Sequence, residues 1–156
     1  MKQDFAKYIA LEPYEFDQGD QGWRELDKQK EFLKAAQVIE QYLDENKEKI
    51  KKYTKEKPEH GSVLVFHAGQ LYATAGPKHY KKAIPFLKDS FRAENESWNL
   101  YVKGTIAFLE QDAETLNRCL DSLKEDDPKH IRVTILDRLK RGLEQGITYQ
   151  QAYDSK

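Results

Sequence analysis

The sequence predicts an all-α fold of stacked antiparallel helical hairpins, and three observations carry that prediction. Apolar residues recur at helical intervals along most of the chain, and no segment sustains the period-two alternation of a half-buried strand. One hairpin-like stretch also has an echo thirty-five residues later. The stretch is Phe66-His67-Ala68-Gly69-Gln70-Leu71-Tyr72-Ala73-Thr74-Ala75-Gly76, followed by Tyr80-Lys81-Lys82-Ala83-Ile84 and closed by Phe91. It reads as helix, turn, helix. At 156 residues the chain suits a single domain, 1–156, with one core.

A leading segment, 1–21, places Phe5, Tyr8, Ile9 and Leu11 at helical spacing, and Pro13 biases its predecessor away from helix. After the turn signal Gly19-Asp20-Gln21-Gly22, a first unit at 22–57 carries Trp23, Leu26, Phe32, Leu33, Ala36, Ile39, Tyr42 and Leu43. This is one long helix or a hairpin broken at Lys28-Gln29-Lys30-Glu31. The absence of Gly and Pro from Trp23 to Lys57 favours continuity. Pro58-Glu59-His60-Gly61 is expected to break the helix, with Ser62 capping the next helix to Gly76-Pro77 and a second helix completing the unit at 62–91. Pro85 removes a backbone bond to Lys81 and is expected to kink that second helix close to its start, where the loss is smallest. In a third unit, 95–124, Asn95 or Ser97 caps the helix carrying Trp98, Tyr101 and Phe108, and Asp112 caps its partner. A C-terminal capping segment, 127–153, opens with Asp127-Pro128, runs an apolar stripe from Ile131 to Leu143, stops at Gly146, and restarts with Thr148 as cap.

Superimposing Gly69 on Gly104 places Phe66 on Tyr101 and Tyr72 on Ala107. With three loop residues removed near Pro77-Lys78-His79, Ile84 falls on Leu116 and Phe91 on Leu123. Small residues at Gly69 and Gly104 are expected to let the paired helices approach. The helix-B pattern Tyr80, Ala83, Ile84, Leu87, Phe91 also matches Phe32, Ala35, Ala36, Ile39 and Leu43. Val65 to Phe91 resembles a tetratricopeptide repeat (TPR), with its helix-A glycine, tyrosine and turn glycine at Gly69, Tyr72 and Gly76 and its helix-B alanine at Ala83. The third unit departs at Lys103 and Thr115, and the first lacks most helix-A marks. Phe66 to Gln70, Trp98 to Val102, Ala107-Phe108-Leu109 and Tyr149 to Tyr153 are together similar to a group of small bacterial TPR-like proteins. The resemblance spans roughly Trp23 to Tyr153 and implies a fold and a mode of binding, with no chemistry.

The composition narrows the function classes. With 34% charged residues but a net charge of -1, the chain has no overall field to steer it to nucleic acid or membrane. Cys119 is the only cysteine, which excludes an internal disulfide and multi-cysteine metal sites. His60, His67, His79 and His130 form no helical i, i+4 metal pair with a nearby glutamate, and no nucleophile elbow or phosphate loop is present. The expectation is therefore no catalytic, metal or cofactor site. Neither an export signal nor an apolar stretch of membrane-spanning length is visible, which reads as cytoplasmic.

Helix A faces the concavity in a repeat stack, so the candidate partner-binding residues are Phe66, His67, Gln70 and Thr74 with Trp98, Tyr101 and Thr105. The first expectation is a non-enzymatic module that holds a protein or peptide there, marked by exposed Phe66 and Trp98. The same large apolar residues also serve core packing between layers. A second reading is a ligand or enzyme pocket around His67, Gln70 and Tyr101. A third is RNA contact through Lys47 to Lys57, with Tyr53 stacking on a base, although interleaved glutamates dilute that field.

Overall fold

The computed structural model describes residues 4–156, and every regular element among the described residues is helical. The leading segment forms two short helices, α1 (Ala6–Ile9) and α2 (Pro13–Gln18), with Pro13 at the first helical position, where its missing N–H costs nothing. They belong to the core. Phe16 is fully buried and stacks on Tyr42 with ring centres 3.8 Å apart, and the Tyr42 hydroxyl donates to the Leu11 carbonyl at 2.6 Å.

Of the two readings of 23–57, the favoured continuous helix is not observed; the chain breaks at Lys28 to Glu31, the alternative, and again at Asn46. The segment divides into α3 (Trp23–Lys28), α4 (Phe32–Glu45) and α5 (Lys47–Glu56). Lys30 ends α3 by taking the left-handed conformation, φ 60°, which lets Glu31 N–H bond the Leu26 carbonyl and Lys30 N–H bond that of Asp27. No glycine or proline announces this turn.

The break expected at Pro58 to Gly61 is also corrected. Pro58 is the first residue of α6 (Pro58–Thr74), which runs straight through Gly61 and Ser62. A Cβ at Gly61 would stand 2.3 Å from the Thr54 hydroxyl, so this glycine serves the close crossing of α5 and α6. Ser62 is no cap; its hydroxyl bonds the carbonyls of Pro58 and Glu59. A 3-10 turn (Pro77–His79) leads into α7 (Tyr80–Asp89), followed by α8 (Glu96–Leu109) and α9 (Ala113–Asp126). Asn95 and Asp112 cap α8 and α9 as expected, accepting from the amides of Trp98 and Thr115.

Asp127-Pro128 does not start α10 (Ile131–Gln145). His130 does, its Nδ1 accepting from the Arg132 amide at 3.1 Å. The helix α10 ends at left-handed Gly146, and Thr148 with Gln151 forms a capping box on α11 (Tyr149–Tyr153).

Consecutive helices pack on one another as α3 with α4, α6 with α7, α8 with α9 and α10 with α11. Neighbouring pairs join through α4 on α6, α7 on α8 and α10 on both α8 and α9. Positive φ recurs at Gly76, Gln111 and Gly146, each thirty-five residues after the last. The C-terminal segment thus keeps the same spacing of turns as the two units before it. Gly69 faces Leu87 of its hairpin partner, as expected, but Gly104 faces Leu136 of α10 rather than α9. Among the described residues, no helix is long and apolar enough to cross a membrane.

Candidate functional site

The seven candidate residues lie on two adjacent helices, Phe66, His67, Gln70 and Thr74 on α6 and Trp98, Tyr101 and Thr105 on α8. The structure brings them together as a packed layer. Phe66, Trp98 and Tyr101 are buried, and Thr105 is fully so. The Phe66 ring centre lies 5.1 Å from Trp98 and 5.4 Å from Tyr101, and the Trp98 indole N–H donates to the Ser90 carbonyl at 2.7 Å. These aromatics do not present the exposed anchors that the groove reading required. Thr74 and Thr105 hydroxyls donate to the carbonyls of Gln70 and Tyr101, one helical turn back.

The reason the groove is closed is α11. Tyr149 is fully buried, and its ring meets Phe108 edge-on at 5.9 Å. Gln70 Nε2 donates to the Tyr149 hydroxyl at 3.3 Å, while the Tyr149 amide donates to the Tyr80 hydroxyl at 2.8 Å. The chain's own C-terminal helix therefore packs on the expected groove and takes up the Gln70 amide.

His67 sits within this layer, its ring centre 4.8 Å from that of Trp23 and its Nδ1 3.2 Å from Gln70 Oε1. With Gln70 Nε2 committed to Tyr149, Oε1 accepts, so the proton rides on His67 Nδ1. Burial pushes the His67 pKa down to about 4 and outweighs the opposing bond to Gln70. The ring is neutral at neutral pH. Burial likewise pushes the Tyr101 phenol and the Cys119 thiol up, so neither supplies an anionic nucleophile.

The lysine-rich segment is the helix α5, and Tyr53 is buried within it rather than free to stack on a base. Its hydroxyl donates to Asp17 Oδ2 at 2.7 Å and lies 3.1 Å from His60 Nδ1. Asp17 is itself fully buried, with Oδ1 unpartnered in the structure. Among the described residues, no cluster of three or more His, Cys, Asp or Glu side chains is placed to hold a metal ion.

An open cleft of about 890 Å³ lies elsewhere, between the α5–α6 junction and the loop joining α7 to α8. Val65, Phe91, His60, Lys57 and Arg92 line it. Phe91, read from sequence as an apolar residue closing a helix, falls beyond α7 and is 39% exposed. The Arg92 guanidinium stacks 4.2 Å from the Trp98 ring centre, and Arg132 reaches the same ring at 5.3 Å. Sequence reasoning missed both arginines because their approach to one ring depends on loop and helix placement, for which no periodicity exists. Comparison of the chain with known family models, with curated proteins and with solved structures finds no match.

Proposed function

We propose that the protein is a non-enzymatic, TPR-like binding module that takes a short segment of a protein partner in the cleft beside Phe91. The observation that carries this reading is the exposure of Phe91 on the wall of an open cleft, while the aromatic residues of the predicted groove are packed. Val65 supplies further apolar surface, and Lys57, His60, Glu59 and Asn95 form a polar rim that can fix a peptide's orientation. Turns recurring at thirty-five residues and successive helix pairs support the TPR-like assignment. A neutral, half-buried His67 packed on Trp23 does not favour the enzyme reading, and a buried Tyr53 does not favour the RNA reading.

The test is selection of binders from a random peptide display library on the purified protein. Binders are expected to lose affinity about tenfold or more on Phe91→Ser, the cost of losing a central anchor, and to be indifferent to Tyr14→Ser. Tyr14 is a more exposed aromatic outside this cleft. Peptides that bind equally well to the Phe91→Ser protein would remove the cleft from consideration.

A further inference from the structure

The charged side chains lining the cleft beside Phe91 are the cations Lys57 and Arg92 and the carboxylates Glu59, Asp89 and Glu94. Both cations already have partners within the chain. Lys57 Nζ lies 4.6 Å from the ring centre of Tyr14. The Arg92 guanidinium stacks on Trp98, while its Nε donates to the Ser62 hydroxyl at 2.7 Å and its Nη2 to the Glu59 carbonyl at 3.2 Å. The carboxylates differ. None of the ion pairs among the described residues includes Glu59, Asp89 or Glu94, and Glu59 acts on the Arg92 charge only from a longer distance. The first turn of α6 brings partial positive charge to this wall, which Glu59, lying in that turn, offsets.

A fourth acceptor is an imidazole nitrogen. His60 is half-buried in the first turn of α6 and lines the same cleft. Its Nδ1 lies 3.1 Å from the Tyr53 hydroxyl, which donates to Asp17 Oδ2 at 2.7 Å. Oδ2 also receives Gln18 Nε2 at 3.0 Å, so this carboxylate oxygen is an acceptor and the single phenolic proton points at it. Burial and the Asp17 bond push the Tyr53 phenol well up, which keeps that proton on the hydroxyl. The Tyr53 oxygen therefore accepts from His60 Nδ1–H, and in a neutral ring Nε2 carries the lone pair. Nε2 has no partner among the described residues. A donor chain that ends on the fully buried Asp17 polarises the ring and makes Nε2 a stronger acceptor.

We propose that the segment docked in this cleft presents a cationic side chain, lysine or arginine, to His60 Nε2 and the neighbouring carboxylates, with an adjacent apolar residue on Phe91. This rests on the reading of the cleft as the docking site, and it specifies the chemistry of what docks. Three carboxylates and one oriented nitrogen stand open on the wall, while the resident cations are engaged with other groups. A cation on the partner complements them; an acidic side chain there meets like charge. Tyr53 is the positioning residue, since it selects the His60 tautomer without touching the ligand.

The experiment titrates the isotope-labelled full chain at about pH 8, above the ordinary histidine range, with capped phenylalanyl-arginine amide. The glutamine and glutamate analogues of that dipeptide are the matched probes. Saturable shifts are expected at the His60 imidazole and the Phe91 ring, with the arginine peptide about fivefold tighter than the glutamine peptide and the glutamate peptide weakest. Imidazole nitrogen shifts of the free protein should place the His60 proton on Nδ1. Tyr53→Phe should lose that tautomer preference together with about threefold of the arginine peptide's affinity. Glu94→Gln, at an exposed position, should cut the preference for arginine by about half, while Glu110→Gln, at the other end of α8, leaves it unchanged. Should Tyr53→Phe lose the circular dichroism of the parent, the parent's tautomer and the Glu94→Gln result decide. Equal affinity for the arginine and glutamine peptides, a His60 proton found on Nε2, or equal effects of Glu94→Gln and Glu110→Gln overturns the cation site. An arginine preference that survives Phe91→Ser, alongside library binders indifferent to that change, removes the docking reading and leaves the cation site. Library binders that need Phe91, alongside no preference for the arginine peptide, remove the cation site alone.

Discussion

Gln111 takes φ 59° at the end of α8, where Asp112 N–H bonds the Ala107 carbonyl at 2.8 Å. A left-handed non-glycine residue is strained by its Cβ, so Gln111→Gly is expected to stabilise the protein by about 0.5–1 kcal/mol, read as a raised urea midpoint. The equivalent Gly146 lies at φ 68°, and Gly146→Ala should cost about 1 kcal/mol in the same measurement. His67 makes a prediction of opposite visibility, since it acts through protons. Its folded pKa of about 4 lies below the ordinary 6.5, so the unfolded chain binds the extra proton between those values. Its contribution to stability is therefore complete above about pH 6.5 and is lost as pH falls toward 4, with a slope of at most about 1.4 kcal/mol per pH unit. Urea titrations across this window should lose that slope in His67→Gln, and an NMR midpoint near 6.5 for His67 would count against its enclosure. The sequence singled out His67 but not its state, because its desolvation depends on packing against Trp23, which arrives from a distant part of the chain.

Among the elements, α11 decides most about the site. Five residues long, it is too short to be stable alone and is held by its capping box and by Tyr149. Thr148→Ala should cost about 1 kcal/mol through the cap, and Tyr149→Phe about 1 kcal/mol through the lost acceptor for Gln70. Hydrogen exchange on α11 and on the Gln70 side of α6 reads both; faster exchange confined to α11 in Tyr149→Phe would show that it does not brace α6. The sequence disclosed the existence of α11, through Thr148 and the Tyr149–Tyr153 spacing, but not its place over Gln70. Caps using Asn95, Asp112 and Thr148 were legible because a local side chain meets a local amide. The turn at Lys30 was legible only as one of two readings, from the repeat spacing, because lysine is not a left-handed signal and tertiary packing of α3 on α4 selects that conformation.

At the scale of the molecule, the leading segment is a structural part rather than an appendage. Phe16 lies flat on Tyr42, Tyr42 bonds Leu11, and Tyr53 bonds Asp17, so α1 and α2 clamp α4 and α5. Phe16→Ala is expected to cost about 3–5 kcal/mol and to lower the unfolding midpoint of the whole chain in one transition. A separate early transition with the remainder unchanged would mean that the first helices fold as an independent layer. By itself the sequence determined that the chain is helical and where most helices lie, and it located the thirty-five-residue spacing, because periodicity and caps are local. Only the tertiary structure decided which aromatics are buried, that α11 packs on the expected groove, and that Arg92 and Arg132 both reach the Trp98 ring. Those outcomes depend on how helix faces distant in sequence pack, and a helical repeat of apolar residues is the same whether it lines a groove or fills a core.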